Sequence, residues 1–141
     1  MTVDALIERI EGIVDKLDKG RYPRLHHCLS DILAGYYYVD NAYEISAEIY
    51  NCDRQEVFPK EVADLLIEIY EDELKENNHD AICDYGSLYY TGRIGEQNYE
   101  KAVYYYDMAA RLGSRQAQEN LGYCYYNDYS MSKRRQAFSR L

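Results

Sequence analysis

Residues 81 to 126 read AICDYGSLYYTGRIGEQNYEKAVYYYDMAARLGSRQAQENLGYCYY. The stretch overlays on itself. Shifted by 36 residues, Ala81 falls on Ala117, Gly86 on Gly122, Tyr89 on Tyr125 and Tyr90 on Tyr126; just upstream, Tyr70 falls on Tyr106. Asp84 with Asn120, and Asn77 with Gly113, match in kind. A period near 36 holds two helices and their turns, so the pattern predicts an all-α chain of helical-hairpin repeats wound into an α-α superhelix. The matched positions have physical roles. Ala81 and Gly86 let the first helix of a pair approach its neighbour closely, and Tyr89 fills the space one turn on. Ala102, Ala109 and Ala110 are the small residues of the second helix, Tyr106 is its aromatic, and Gly113 ends it. By the same register Ala117 and Gly122 become close-packing sites and Tyr125 a filler in the next layer.

Outward from this stretch, nearly everything reads as helix. Val3, Leu6, Ile7, Ile10, Ile13, Val14 and Leu17 recur at three and four residues, one apolar stripe. Thr2 caps its start and Gly20 is expected to end it in the left-handed conformation. Pro23 opens a second helix, whose inner face runs from Leu25 to Leu33 and on to the Tyr36-Tyr37-Tyr38 run. Asn41 with Glu44 forms a capping box for a third helix, ending near Asn51. Pro59 opens a fourth, with Asn77 as its stop. A fifth spans about Asp80 to Thr91 and meets Gly92, and the loop Arg93 to Gln97 follows. Asn98 caps a sixth that ends at Gly113, and Ser114 caps a seventh reaching about Tyr126. After Ser132 an eighth helix is expected to begin. No segment alternates apolar and polar with period two, so no sheet is expected.

The glycine, alanine and tyrosine positions from Ala81 to Tyr125 resemble the Sel-one-like repeat, the slightly longer cousin of the tetratricopeptide repeat. Gly92 to Ala102 resembles that family's inter-helix loop and second-helix start. One repeat, about Ala81 to Gln116, matches throughout; the next matches over Ala117 to Tyr126. Its loop reads one residue shorter, pairing Ala137 with Ala102, and Asp128 stands where the family prefers Gly. The resemblance implies a solenoid that holds a partner segment or assembles complexes, often in signalling or in bacterial stress and secretion pathways. A secreted branch clamps each helix pair with a disulfide and is linked to β-lactam binding; the paired cysteines of that branch are absent here. Residues 1–79 then read as divergent helical hairpins forming an N-terminal cap, and 80–141 as repeats, the last incomplete.

Composition narrows the function further. The chain has 141 residues with 47% hydrophobic side chains, enough for a real core. It carries 18 tyrosines, two phenylalanines and no tryptophan. Tyrosine has an apolar body and a polar tip, suiting the half-covered positions of thin stacked layers. A net charge of −9 disfavours nucleic acid and anionic membrane as general partners. The last ten residues hold Lys133, Arg134, Arg135 and Arg140 and no acid, leaving 12 basic against 25 acidic residues elsewhere. Between Glu56 and Glu76 eight acids face only Lys60 and Lys75, an acidic helix face. No apolar run reaches the roughly 18 residues of a membrane span, and the first residues lack a basic and apolar leader. A cytoplasmic protein is the resulting expectation.

Few residues suggest chemistry. Gly92 and Gly95 have no Lys-Ser/Thr after them, so they make no phosphate loop. His26 and His27, adjacent, point about 100° apart on a helix and cannot share an ion. Cys28, Cys52, Cys83 and Cys124 are separated by 24, 31 and 41 residues, so they read as packed reduced thiols rather than a metal set or a disulfide framework. His79 stands four residues from Cys83, the one arrangement with a nucleophile near a base; it too reads as structural. No catalytic residue, metal or cofactor is assigned.

A binding surface is easier to defend. In hairpin solenoids the first helix of each pair lines the concave face. If Ala81, Tyr85, Leu88 and Tyr89 pack inward, then Asp84, Ser87 and Thr91 look into the groove. The 36-residue shift continues that row at Asn120, Tyr123 and Asn127, with Tyr90 and Tyr126 flanking it. Asn and Asp can hydrogen-bond a peptide backbone, and Tyr can stack on it. The expected function is a non-enzymatic adaptor that binds another protein or peptide there, with self-association through the unfinished C-terminal repeat. A small acidic inhibitor that masks a basic partner, of the immunity-protein kind, is the alternative.

Overall fold

The computed structural model describes residues 1–35 and 39–139, with side chains through residue 127. The Tyr36-Tyr37-Tyr38 run and the side chain of Ala137, the expected counterpart of Ala102, lie outside what is described. Among the described residues seven helices follow one another: α1 Val3–Lys16, α2 Pro23–Ala34, α3 Ala42–Cys52, α4 Lys60–Lys75, α5 His79–Thr91, α6 Tyr99–Arg111 and α7 Arg115–Ser139. Among the described residues there is no strand. Each helix packs chiefly on the next in sequence, and α3 also reaches α5. This is the all-α, helical-hairpin architecture that the repeat predicts.

Local chemistry sets the helix starts. Thr2 Oγ1 accepts the Ala5 amide at 3.2 Å, Asn41 Oδ1 the Glu44 amide at 2.9 Å, and Asn98 Oδ1 the Lys101 amide at 3.1 Å. Ser114 Oγ accepts the Ala117 amide at 3.1 Å. Each satisfies one of the donors a helix start leaves orphaned. Asn77, Gly92 and Gly113 take positive φ after α4, α5 and α6, where left-handed residues close the last turn. Gly20 does not act this way. α1 stops at an extended Leu17, and the Asp18 carboxylate accepts the Gly20 and Arg21 amides at 2.9 and 3.1 Å. A side chain, not a left-handed glycine, ends the first helix.

One apolar core runs from Leu6 and Ile10 on α1, through Leu29, Ile45, Ile49, Leu65 and Ile69, to Leu88, Ala117 and Cys124. Tyrosines carry it across the α4–α5–α6 layers. Tyr85 stacks on Tyr70 at 5.4 Å and on Tyr105 at 4.6 Å between ring centroids. Its hydroxyl donates to Glu71 at 2.8 Å, so the polar tip stays satisfied while the ring is 1% exposed. Gly86 sits against Tyr106, as the close-approach reading requires: a Cβ there would lie 3.0 Å from the ring and 3.2 Å from the Ala102 carbonyl.

The next layer departs from the repeat. Among the described residues the expected turn after Tyr126 and the eighth helix are absent, and α7 runs unbroken to Ser139. The turn after α5 depends on Gly92 and Gly95, both at positive φ. The 36-residue shift puts Asp128 and Met131 there, and neither adopts that conformation cheaply. With no hairpin closed, no second helix among the described residues covers α7. Gly122 is therefore exposed and meets nothing within 4 Å. Tyr125 is 54% exposed where its counterpart Tyr89 is buried. The expectation that both are packing positions is corrected. Ala81, Ala102, Tyr106 and Ala117 are buried, and Ala110 is half-buried.

Candidate functional site

Arg93 shapes the ground beneath the site. It follows the left-handed Gly92, and its side chain is folded inward to 4% exposure. Its guanidinium donates to the carbonyls of Tyr50 at 2.9 Å and Glu56 at 3.3 Å, and to that of Asp53. It also lies 4.5 Å over the Phe58 ring. Burial pulls its pKa down, yet an arginine stays charged under all ordinary conditions. This fork fixes the α3–α4 link against the α5–α6 turn, and so fixes Tyr50 opposite α5.

A cleft of about 300 Å³ results, lined by Tyr50 of α3, Ser87, Tyr90 and Thr91 of α5, Tyr106 of α6, and Asn120, Tyr123 and Cys124 of α7. Ser87 Oγ and the Tyr106 hydroxyl are 2.8 Å apart, and Ser87 shares the cleft wall with Tyr50. Burial raises the pKa of both tyrosines, while Ser87 pulls each back. Asn120 Oδ1 accepts from Gln116 at 3.0 Å and its amide meets Cys83 Sγ at 3.7 Å. Tyr90 packs edge-on to Tyr99 at 5.4 Å and to Tyr123 at 6.4 Å. Burial, first of all, raises the Tyr90 pKa, and the nearby Asn127 side chain pulls it back. The wall is aromatic, with hydroxyls and one amide turned inward. Such a surface suits a segment with apolar side chains and a free backbone to hydrogen-bond.

Of the eight residues singled out by the groove reading, Ser87, Tyr90, Thr91, Asn120 and Tyr123 line this cleft. Asp84, Tyr126 and Asn127 do not line it. Tyr126 is 72% exposed on the α7 surface. Asp84 is half-buried and forms no hydrogen bond or ion pair among the described residues. Burial, then the neighbouring Asp80, push its pKa up to about 7, with Arg54 pulling back. Sequence reasoning missed Tyr50 and Tyr106, the first because α3 lies outside the repeat, the second because its packing role hid its hydroxyl.

The arrangement holds little else that reads as chemistry. Cys83 is buried, and burial with the adjacent Asp84 raises its thiol to about 11; it is a neutral, packed group at neutral pH. His79 Nδ1 lies 3.0 Å from Asp80 Oδ1 without hydrogen-bond geometry. Among the described residues no cluster of three or more His, Cys, Asp or Glu side chains could hold a metal ion. The acidic stretch is largely engaged. Glu56 pairs with Arg21 at 2.8 Å, Asp64 with Lys60 at 3.4 Å, Asp72 with the N-terminal ammonium at 3.2 Å, and Glu68 with Arg9. Glu71 and Glu73 accept from Tyr85 and Asn78. Among the described residues no helix is long and apolar enough to cross a membrane.

Comparison with known proteins adds the family. Residues 79–114 and 115–138 match the Sel1 repeat family. No curated protein and no solved structure gives a significant match. The first matched segment is the α5–α6 hairpin that builds one wall of the cleft, and the second is α7. In these two segments, 60 of the 141 residues, the chain is similar to the Sel1 repeat family.

Proposed function

We propose that this chain is a protein-interaction module that seats a partner segment in the cleft between α3, α5, α6 and α7. The observation that carries the reading is the convergence of Tyr50, Tyr90, Tyr106 and Tyr123 around Ser87 and Asn120 in one cleft. Tyrosines dominate the energetics of many interfaces because they bury much area with few rotatable bonds. Sel1 repeats are generally protein-interaction modules, which supports an adaptor over catalysis. The engagement of the α4 carboxylates lends the acidic-inhibitor alternative little support.

The test is selection of a displayed random peptide library on the immobilised full chain. Enriched peptides should lose roughly tenfold or more in affinity for the Tyr90→Ala/Tyr123→Ala variant, as for interface hot spots. They should also bind with mild salt dependence. Peptides that bind both proteins equally place the site elsewhere. Affinity confined to polybasic peptides, and lost at high salt, restores the acidic-inhibitor reading.

A further inference from the structure

Cys28 and Cys52 are 24 residues apart in sequence and line one cleft in the fold. Cys28 lies on the inner side of α2, and Cys52 is the last residue of α3. α2 and α3 pack together, and this brings the two cysteines to the wall of one cleft, where each perturbs the other's titration. The two thiols are not equivalent. Cys28 is buried, 5% exposed, with its Sγ 3.6 Å from the Glu48 carbonyl oxygen. Cys52 is half-buried. Both border an open cleft of about 350 Å³ whose other walls are Pro23, Arg24 and His27. A small solute can therefore reach the sulfurs.

The charges around the pair divide them further. Cys52 faces the Arg93 guanidinium and accepts from the Asp53 amide; its burial and then the Asp53 carboxylate oppose a negative charge there. Cys28 faces the Glu48 and Asp31 carboxylates. The neighbouring Cys28 thiol, first of all, and then the Arg93 guanidinium lower the Cys52 pKa, while Cys52, burial and the two carboxylates raise that of Cys28. A thiolate in an electropositive, reachable setting, with a second thiol beside it, is the arrangement of a reactive cysteine and its resolving partner.

We propose that Cys52 and Cys28 form a peroxide-reactive dithiol that closes to a disulfide between α2 and α3. The Cys52 thiolate attacks a hydroperoxide; an S–O bond forms, the O–O bond breaks, and the departing alkoxide takes a proton to become an alcohol. The product is a sulfenic acid on Cys52. The Cys28 sulfur then attacks that sulfur; the S–S bond forms, hydroxide leaves, and the Cys28 proton completes a water molecule. Two thiols have lost two electrons and two protons, and the hydroperoxide has become alcohol and water. The bond ties α2 to the end of α3, two residues from Tyr50 on the wall of the cleft where the partner segment is proposed to sit.

The test treats the reduced full chain with hydrogen peroxide, alkylates the remaining thiols and maps peptides by mass. A Cys28–Cys52 linked peptide, two hydrogens lighter than its reduced parts, is expected, with Cys83 and Cys124 alkylated after denaturation. In Cys28→Ser the sulfenic acid should persist on Cys52 and be trapped by dimedone; in Cys52→Ser neither label nor link should form. In the native reduced protein Cys52 should alkylate roughly tenfold faster than the buried Cys83. A wild-type chain whose Cys28 and Cys52 stay unlinked, or link instead to Cys83 or Cys124, overturns the proposal. So does a Cys52 that alkylates no faster than Cys83. The wild-type map decides the matter even if a serine variant fails to fold.

Discussion

The Cα of Gly86 lies so near the Tyr106 ring that an added methyl would sit 3.0 Å from two ring carbons, while its repeat counterpart Gly122 has open space around it. Two glycines at one register position thus have opposite needs. Gly86→Leu should destabilise by about 1–3 kcal/mol or more, because the side chain would wedge α5 from α6. Gly122→Ala should be neutral or stabilising by up to about 1 kcal/mol, from helix propensity alone. Urea denaturation of both variants checks the pair. Equal losses would mean that a second helix does cover α7.

Arg93 gives the second prediction. Arg93→Ala removes the donors that satisfy the carbonyls of Tyr50, Asp53 and Glu56 and empties the space over Phe58. A loss of about 2–4 kcal/mol is expected. Arg93→Lys should recover only part of it, since a point charge cannot reach three diverging carbonyls as a fork does. Thermal melts of the two variants settle whether the geometry or the charge matters.

Asp84 predicts a pH effect whose sign is unusual for a carboxylate. Its folded pKa is raised to about 7, above the roughly 3.9 of an unfolded Asp. Between these values the native state holds a proton that the unfolded state has lost, so stability falls as pH rises through this window. The penalty is absent below about pH 4 and fully present above about pH 7. Asp84→Asn should remove this component. The difference in unfolding free energy between variant and wild type, measured from pH 4 to pH 8, should grow in favour of the variant and then level off.

A fourth prediction concerns Asn77, whose φ of +56° is the sole positive value among the described non-glycine residues. Asn77→Gly should stabilise the α4 end slightly, and Asn77→Val should cost about 1–2 kcal/mol, the usual penalty of a left-handed conformation for a branched side chain. Melting temperatures of the two variants should move in opposite directions.

Helix boundaries were legible because caps act over three residues. Thr2, Asn41, Asn98 and Ser114 each mark a start that the hydrogen bonds bear out. The all-helical hairpin architecture was legible because its period is written in glycine, alanine and tyrosine. The same periodicity misled at Gly122 and Tyr125. A repeat offset projects packing forward even where the turn that produces the packing has lost its glycine, as at Asp128. Arg93 read as a loop residue; only its burial against Phe58 and the α3–α4 link gives it a role. The Cys28–Cys52 encounter was illegible for a related reason. Two helix positions 24 residues apart meet only because the chain between them reverses. In the cleft, the face shared by α5 and α7 followed from the repeat, whereas the Tyr50 wall comes from outside it.

The Arg93 clamp has a consequence for how the molecule comes apart. Stacked hairpins ordinarily melt layer by layer, each holding only its neighbours. Here a residue from a repeat turn closes backbone groups 37 to 43 positions earlier, and the amide of Phe58 in turn donates to the Arg93 carbonyl at 2.8 Å. Neither side of that junction can loosen without exposing the other's unsatisfied polar atoms. Such reciprocity converts a modular stack into a single cooperative unit, so that α3 to α6 should lose amide protection together in hydrogen exchange rather than in sequence.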